Sequence, residues 1–261
     1  MPTESMSHQL TLTVIPAVPL IRPGDDLASI LCQSLLAAEL PLVPGDVLAV
    51  ASKIVSKAEG RLVRLADVRP TRRAREVAEA CQKDPRLVQL ILDESQEVSR
   101  LRPGLLITRH RLGFVCANAG IDSSNVGPAA AGEEQVLLLP VDPDGSAARL
   151  RAELGRQMGV ELAVVIVDSH GRPHRMGTVG AAIGAAGLPA LQDWRGRVDL
   201  FGRPLQHTVV GLADLIAGAA TLLFGQAGEG TPAVVLRGIP YERREGNAAE
   251  LVRQRELDMY R

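Results

Sequence analysis

Three short runs of aliphatic residues without a polar interruption constrain the fold of this chain most strongly. These runs are Val47–Ala51, Leu162–Val167 and Ala233–Leu236. A strand with one face in solvent alternates apolar and polar residues, so an uninterrupted run predicts a strand covered on both faces. Val136–Leu139, a helix at Ser146–Met158 and the second run follow one another, which predicts a β-α-β unit with a buried parallel strand. The sequence therefore predicts an α/β protein with mixed sheets and packed helices.

Other segments show strand or helix periodicity. We expect strands at Leu10–Val14, Leu62–Val68, Leu105–Thr108 and Phe114–Ala117, and helices at Leu27–Ala38, Thr71–Gln82, Arg86–Asp93 and Val209–Phe224. Glycines punctuate Gly171–Gly202, where Gly177, Gly180, Gly184 and Gly187 predict turns and close backbone approaches. Aromatic residues make up 2% of the chain and hydrophobic residues 46%, so the core is predicted to be aliphatic.

The length of 261 residues suits one extended domain or two intimately packed lobes. We expect a disordered tail at residues 1–9 and one functional unit at residues 10–242. A linker rich in Gly and Ala, at residues 127–132, lies within that unit. Residues 243–261 form a charged C-terminal segment, which we predict to be a surface helix.

Charge and cysteine usage limit the partners and the location of the protein. The net charge is −1, so no global field attracts nucleic acid or an anionic membrane. Cys32, Cys81 and Cys116 are far apart in the sequence and are expected to be reduced thiols. The N-terminus lacks the regions of a signal peptide, and no apolar stretch reaches the roughly 20 residues that span a bilayer. We therefore predict a cytoplasmic protein without nucleic-acid or membrane partners.

Polar side chains cluster where three of the predicted strands end. Ser52, Lys53 and Lys57 follow the first aliphatic run, Asn118, Asp122 and Asn125 follow Phe114–Ala117, and Asp168 and Ser169 follow Leu162–Val167. Loops at the carboxyl ends of buried strands are common ligand sites, because the strands hold them rigidly. Carboxylate, hydroxyl and amide oxygens suit Mg²⁺ or Mn²⁺, and lysines supply point charges for phosphate oxygens.

Each of these features has a structural alternative when it is taken alone. Asp168 could cap the turn after its strand, and Asp122 could serve turn geometry only. Lys53 and Lys57, four residues apart, could form a solvated helix face. The combination at three strand ends favours a metal and phosphate site.

Several common catalytic motifs are absent from the sequence. It contains no GxxxxGK[ST] and no GxGxxG after a strand, which argues against P-loop and Rossmann folds, and neither HExxH nor GxSxG occurs. Gly225–Gly230 could approach a phosphate with its backbone amides or could simply end a helix. His170 and His174 are four apart, but Gly171 and Pro173 between them argue against a helical metal pair.

An ordered set of segments is similar to a known family. The segments are Gly24–Leu27, Ala51–Gly60, Ala117–Asn125, Asp168–Pro173, Ala182–Gly184, Gly225–Pro232 and Val235–Gly238. Together they resemble the coenzyme F420-0:gamma-glutamyl ligase family over nearly the whole chain. The resemblance implies an unusual α/β fold and a homodimer. It also implies a GTP-dependent ligase that joins L-glutamate to the carboxylate of the deazaflavin precursor F420-0.

The resemblance also assigns site residues. Lys53, Lys57, Asp122 and Asp168 are the implied catalytic residues. Asp122 and Asp168 are implied ligands of one Mg²⁺ or Mn²⁺ ion, Ser169 and Gln226 of a second, and the pattern leaves room for a monovalent cation. The implied GTP contacts are Ala17, Val18, Pro19, Leu20, Ser52, Lys53, Lys57, Asn125, Phe224, Gly225, Gln226, Ala227, Gly228, Glu229, Gly230 and Thr231. Arg172 and Arg175 are candidates for binding glutamate or the coenzyme phosphate.

The chain departs from the family pattern at a few positions. Ala17 replaces a more usual glycine, Gln226 replaces a common acidic residue, and His170 and His174 stand where larger apolar or aromatic residues are frequent. A neutral amide oxygen is a weaker ligand than a carboxylate, so Gln226 is predicted to weaken the second metal. A metal-dependent phosphohydrolase and a non-catalytic nucleotide-binding module remain alternatives. With so few aromatic residues, we expect aliphatic walls around the deazaflavin ring.

Overall fold

The computed structural model describes residues 9–127 and 134–258, and this part of the chain has a mixed α/β fold. Its strands are β1 (Thr11–Val14), β2 (Val47–Ala51), β3 (Leu62–Arg64), β4 (Ser95–Arg102), β5 (Leu105–His110), β6 (Val115–Ala117), β7 (Gln135–Leu137), β8 (Ala163–Arg172), β9 (Arg175–Ala186), β10 (Leu191–Asp193), β11 (Val209–Gly211) and β12 (Ala233–Arg237). Its α-helices are α1 (Leu27–Ala37), α2 (Ser52–Ala58), α3 (Arg72–Cys81), α4 (Pro85–Asp93), α5 (Pro143–Met158) and α6 (Leu212–Phe224). Residues 1–8 of the predicted tail, 128–132 of the predicted linker and 259–261 of the predicted C-terminal segment lie outside the described residues.

The main sheet contains five strands in the order β1-β12-β2-β8-β9. β2 and β8 run parallel, with Val47 opposite Ala163 and Ala51 opposite Val167, and the other pairs are antiparallel. All three aliphatic runs are therefore strands of this sheet, as predicted. Helices cover both of its faces, which explains why β2, β8 and β12 lack polar alternation.

The predicted β-α-β unit is wrong in its pairing. β7 pairs with β3 in a separate two-stranded sheet, whereas the parallel partner of β8 is β2. On the other side of β7, Leu137 exchanges two backbone hydrogen bonds with Asp122 rather than with β8. The parallel strand is buried as expected, but its partner comes from more than a hundred residues earlier in the chain.

Two aliphatic cores lie on the two faces of the main sheet. Val164 and Ile166 of β8 face the core that contains α1 and α5, and Val165 and Val167 face the core that contains α6. This division follows from the alternation of side chains along a strand. A third core lies between α3, α4 and β5, beside the three-stranded sheet β4-β5-β6. The observed cores are aliphatic, as the composition predicts.

Capping residues explain where several helices begin. Asp26 accepts a hydrogen bond from the backbone N–H of Ser29 at the start of α1, and Thr71 does the same for α3. Asp142 precedes Pro143, which occupies the first turn of α5, where its missing N–H costs nothing. Gly159 ends α5 in the left-handed conformation.

The glycine-punctuated region is mostly a strand rather than a series of turns. β9 pairs with β8 along a hairpin whose outer half extends beyond β2, because Ala51 pairs with Val167 and β2 ends there. Gly177 and Gly187 have left-handed φ angles of 81° and 80°, as turn glycines do. A Cβ atom at Gly180 would overlap the backbone oxygen of Ala217 in α6, which confirms the predicted close approach there.

The described part of the C-terminal segment, residues 243–258, packs on the protein body without forming the predicted helix. Residues 243–258 contain two short 3₁₀ turns, Ala248–Leu251 and Arg255–Leu257. Ala248 is buried, and its backbone N–H donates to Asp144 Oδ1 of α5 at 2.7 Å. Tertiary contacts of this kind, rather than helix periodicity, fix the conformation of the segment.

The structure also bears on the cysteines and on membrane crossing. Cys32, Cys81 and Cys116 are all buried and free, in agreement with the prediction of reduced thiols. No helix in residues 9–127 and 134–258 is both long and apolar enough to cross a bilayer.

We expect Gly180→Ala to destabilise the protein by about 1–3 kcal/mol, because the new methyl group overlaps the backbone oxygen of Ala217, a buried residue of α6. Urea denaturation followed by circular dichroism measures the change. The matched control is Gly171→Ala in the same hairpin, where a Cβ meets no atom within 4 Å. Equal effects of the two substitutions would contradict the proposed packing constraint.

Candidate functional site at the sheet edge

Four predicted site segments meet at one edge of the main sheet. β12 is antiparallel to both β1 and β2, so the end of β1, the start of β12 and the end of β2 lie side by side. β8 runs parallel to β2 and passes the same edge at Val167. The segments that follow β1, precede β12, follow β2 and continue β8 therefore share this edge. They are residues 17–20, 224–231, 52–57 and 168–169.

The dipeptide Ser52-Lys53 connects the two predicted metal-binding carboxylates. α2 begins directly where β2 ends, so no loop separates these side chains from the sheet. Ser52 Oγ donates to Asp168 Oδ1 at 2.9 Å. Lys53 Nζ lies 2.7 Å from Asp122 Oδ2 and donates to the backbone oxygen of Ser124 at 2.8 Å. Both carboxylates thus contact the first turn of the same helix.

Lys57 and Asn125 connect this set to the segment 225–230, which we call the glycine-rich loop. Lys57 Nζ, one turn after Lys53, donates to the backbone oxygen of Asn125 at 2.7 Å. Asn125 Nδ2 donates to the backbone oxygen of Ala227 at 2.6 Å. Ser169 Oγ donates to Gln226 Oε1 at 3.3 Å. We call the connected set the edge site; its members are Ser52, Lys53, Lys57, Asp122, Asn125, Asp168, Ser169 and Gln226.

The loop that carries Asp122 comes from the three-stranded sheet rather than the main one. It leaves β6 through Asn118 and Ala119, which have left-handed φ angles of 51° and 52°. Asp122 then exchanges two backbone hydrogen bonds with Leu137, which fixes the position of the loop relative to α2. Asp168, in turn, lies inside β8 and is the first residue beyond the part that pairs with β2. Its predicted place after the end of its strand is therefore wrong.

The charges of the edge site influence one another. Burial favours the neutral acid, but the hydrogen bonds from Lys53 and Ser124 outweigh it and lower the pKa of Asp122 below its usual value. Burial and the neighbouring Lys53 charge lower the pKa of Lys57, and Asp122 partly opposes this shift. The edge site therefore contains an ionised Asp122 and a Lys57 that holds its proton less tightly than a free lysine.

Cys116 lies near the edge site, and its thiol stays protonated at neutral pH. Burial, and secondly the charge of Asp168, raise the pKa of its thiol to about 12. The thiolate is the nucleophilic form of cysteine, so a thiol with this pKa is not a nucleophile at neutral pH.

Sequence reasoning did not place His170 in the site. Its Nε2 atom lies 2.9 Å from Asp168 Oδ2, and the side chain is 11% exposed. The signal that could have found it is strand alternation, since residues 168 and 170 share one face of β8. His174 is exposed in the hairpin turn at φ 58°, so the two histidines do not form a helical pair, as expected.

Two aromatic rings and an ion cluster support His170. Phe114 contacts the His170 ring at a centroid distance of 5.0 Å and stacks on His110 at 5.1 Å. His110 is fully buried next to Glu94, which binds Arg61 and Arg111 at 2.8 Å each. Burial would raise the pKa of Glu94, but these three neighbours lower it to about 2. The stacked rings of Phe114 and His110 and the ion cluster around Glu94 thus pack against the His170 side of the edge site.

Other predicted residues are placed with fewer contacts. Ala17 adopts φ 55°, a conformation that suits the glycine usual at this position in the family pattern, and Leu20 is 84% exposed. Arg172 donates to the backbone oxygens of Gly177 and Met176 in its own hairpin. These contacts lie within the hairpin, and the predicted role of Arg172 in substrate binding stays a prediction.

The predicted metal ligands are hard oxygen donors, which fits Mg²⁺ or Mn²⁺. Alternation along β8 places Asp168 and Ser169 on opposite faces of the strand, so the two predicted ligand pairs lie on opposite sides of it. Within the described ranges, no group of three or more His, Cys, Asp or Glu side chains is arranged to hold a metal. Magnesium is commonly held by one or two carboxylates together with water and substrate phosphates, so the donor set fits an ion that binds with a nucleotide.

The chain is similar to named ligases along nearly its whole length. A family model described as F420-0:Gamma-glutamyl ligase matches residues 16–238. The coenzyme F420:L-glutamate ligase of Methanopyrus kandleri is 47% identical over 256 residues, covering 97% of this chain and 98% of the relative. The ligase of the same name from Methanothermobacter thermautotrophicus is 44% identical and covers 97% and 99%, respectively. That from Archaeoglobus fulgidus is 45% identical and covers 95% and 94%.

Proposed function

This chain belongs to the F420-0:gamma-glutamyl ligase family and is an enzyme that ligates L-glutamate to coenzyme F420, and from this premise we propose a GTP-dependent reaction at the edge site. In this proposal the substrate is F420-0, whose carboxylate forms an amide with the amine of glutamate. The observation that carries the proposal is the bonded set Ser52–Asp168, Lys53–Asp122 and Lys57–Asn125, which brings ammonium groups suited to phosphate and carboxylates suited to a metal ion to one place.

The nucleotide would bind between α2 and the glycine-rich loop. Lys53 and Lys57 lie one helical turn apart and both donate to the 122–125 loop, so their ammonium groups occupy adjacent positions. Asn125 Nδ2 donates to Ala227 of the glycine-rich loop, which holds that loop beside the lysines. Backbone amides of a glycine-rich loop approach phosphates closely, and lysines neutralise their charge.

We propose that Asp122 and Asp168 hold one Mg²⁺ or Mn²⁺ ion and that Ser169 and Gln226 hold a second. Bound there, such an ion would supply positive charge for the phosphate oxygens and for the substrate carboxylate. Ser169 and Gln226 are already within 3.3 Å of each other, but neither carries a charge. The second ion is therefore expected to bind more weakly than the first.

The proposed reaction proceeds in two steps. A carboxylate oxygen of F420-0 attacks the γ-phosphorus of GTP, the bond to the β,γ-bridging oxygen breaks, and GDP leaves. The amine of glutamate then attacks the acyl carbon of the resulting acyl phosphate, inorganic phosphate leaves, and the amine nitrogen loses a proton. Lys53 and Lys57 stabilise the charge on the transferred phosphoryl group, and the sheet edge fixes the positions of the reacting groups.

We also propose that the protein is a homodimer. Large apolar side chains are exposed at the tip of the β8–β9 hairpin and in the segment between β10 and β11. Met176 is 98% exposed, Leu200 99% and Phe201 83%. Exposed apolar groups of this size commonly mark contact surfaces.

The decisive measurement of the function is mass spectrometry of F420-0 incubated with the protein, GTP, Mn²⁺ and L-glutamate. We expect a mass gain of one or more glutamyl units in the wild type and none in Asp168→Asn, because the neutral amide cannot replace the carboxylate. Circular dichroism of the variant should match the wild type. Phosphate release without glutamate would indicate a phosphohydrolase, and GTP binding without either product would indicate a nucleotide-binding module.

The lysine assignment predicts a selective effect on GTP. In Lys53→Ala, the KM for GTP should rise by about tenfold or more, since a charge-assisted hydrogen bond contributes about 1.5–3 kcal/mol. The KM for glutamate should change much less. Steady-state kinetics with each substrate varied separately measures both, and Lys83→Ala, outside the edge site, is the control. An equal rise for both substrates would contradict a specific role in nucleotide binding.

The dimer proposal is tested by sedimentation velocity. The wild type should sediment with twice the chain mass of 27.8 kDa. Leu200→Asp combined with Phe201→Asp should shift it toward the monomer, because buried charges destabilise an apolar contact. Leu36→Asp, at an exposed position of α1, is the matched control and should leave the mass unchanged. A monomeric wild type at micromolar concentration would refute the proposal.

A further inference from the structure

The contact between His170 and Asp168 has an unusual geometry. His170 Nε2 lies 2.9 Å from Asp168 Oδ2, which is a hydrogen-bonding distance. Nε2 is nevertheless buried and makes no hydrogen bond in the described structure, so its close contact with Asp168 lacks the geometry of a hydrogen bond. A buried polar atom without a hydrogen bond costs free energy, and a ligand bound at Nε2 would recover it.

The distance fits two adjacent ligands of one metal ion. An octahedral Mg²⁺ or Mn²⁺ ion binds its ligands at about 2.1 Å, so neighbouring ligand atoms lie about 3.0 Å apart. Two such atoms point at the ion rather than at each other, which agrees with the missing hydrogen bond. We propose that His170 Nε2 and Asp168 Oδ2 bind the same divalent ion, an inference that rests on the proposed metal-dependent function.

The surroundings of Asp168 leave one oxygen for this role. Ser52 Oγ donates to Oδ1 at 2.9 Å, which orients the carboxylate and leaves Oδ2 facing His170. Lys53 already neutralises Asp122 at 2.7 Å. The charge of Asp168 is therefore less neutralised by the protein than that of Asp122, and His170 provides a second metal ligand on the same face of β8.

His170 is held in place before any ion binds. Its ring contacts Phe114, and Phe114 stacks on the fully buried His110 with an interplanar angle of 5°. Packing of this kind restricts the rotation of the His170 ring and makes its position reproducible. A ligand fixed in advance loses less conformational entropy on binding than a mobile one.

A nitrogen ligand changes which metal is preferred. Imidazole suits the later transition metals, whereas Mg²⁺ prefers oxygen ligands, and affinities for a nitrogen-containing site rise from Mn²⁺ toward Cu²⁺. A site with His170 as a ligand should therefore favour Mn²⁺ over Mg²⁺ more than an all-oxygen site does. The remaining positions around the ion suit phosphate oxygens of GTP and water, which agrees with the small number of protein ligands.

Pulsed electron paramagnetic resonance of the Mn²⁺-loaded protein with GTP tests the inference directly. Wild type should show ¹⁴N couplings of a bound imidazole, replaced by ¹⁵N couplings when the histidines carry ¹⁵N. The couplings should disappear in His170→Phe and persist in His174→Asn, a control in the exposed turn whose new residue tolerates a left-handed φ. Mn²⁺ affinity should fall by about tenfold or more in His170→Phe, as loss of a metal contact implies.

The possible failures are distinguishable. Bound Mn²⁺ without nitrogen coupling in the wild type, or coupling that survives in His170→Phe, would overturn the role of His170 while leaving the ligase proposal intact. Nitrogen coupling in a protein that forms no glutamylated product would overturn the ligase mechanism and leave the metal ligand established. Should His170→Phe fail to fold, His170→Gln removes the imidazole with a smaller side chain, and surviving coupling there would overturn the inference equally.

Discussion

The parallel pairing of β2 with β8 is the constraint on which the edge site depends. Because Ala51 lies opposite Val167, the next residues, Ser52 and Asp168, leave the paired region side by side, and the hydroxyl reaches the carboxylate at 2.9 Å. The register is set by apolar packing. Leu48 faces the core of α1 and α5, whereas the Ala-rich helix α6 packs closely on the opposite face. A slip by one residue would force larger side chains against α6, at a cost of about 1–3 kcal/mol for each overpacked position. Hydrophobic packing therefore determines the positions of Ser52 and Asp168.

The second requirement is that a loop from another sheet reaches this edge. α2 provides the attachment, because it starts without an intervening loop and presents Lys53 and Lys57 on one face at helical spacing. The two ammonium groups donate to the backbone oxygens of Ser124 and Asn125, and the Asn125 side chain donates to the glycine-rich loop. The short helix α2 thus connects, directly or through Asn125, the 122–125 loop, Asp168 of β8 and the glycine-rich loop. The site therefore requires the main sheet and the three-stranded sheet to keep a fixed relative position.

The sequence predicts those parts of the fold that depend on local patterns. β2 is predicted with its observed bounds, because its burial on both faces is visible in five consecutive residues. The strand partner of β8 is not predictable in this way, since strand pairing is decided by residues far apart in the chain. β9 is missed because its inner half consists mainly of Gly and Ala, a composition that resembles a loop. The small size of Gly184 permits the close approach of α5, since a Cβ atom there would overlap the backbone oxygen of Pro143. His170 is missed for a related reason: its alternation with Asp168 has meaning only once β8 is known to continue beyond Val167.

The balance of charge at the edge site explains how a nearly neutral protein would attract the nucleotide that we propose as its substrate. Asp122 neutralises Lys53 at 2.7 Å, whereas Lys57 donates to a backbone oxygen, which carries no full charge. Burial and the nearby Lys53 charge consequently lower the pKa of Lys57. A lowered lysine pKa means that the folded protein disfavours this positive charge. A phosphate beside Lys57 would not reverse the burial, but its negative charge would offset the repulsion from Lys53 and raise the pKa of Lys57. In the proposed function, the local arrangement of charges rather than the net charge of −1 therefore accounts for nucleotide binding.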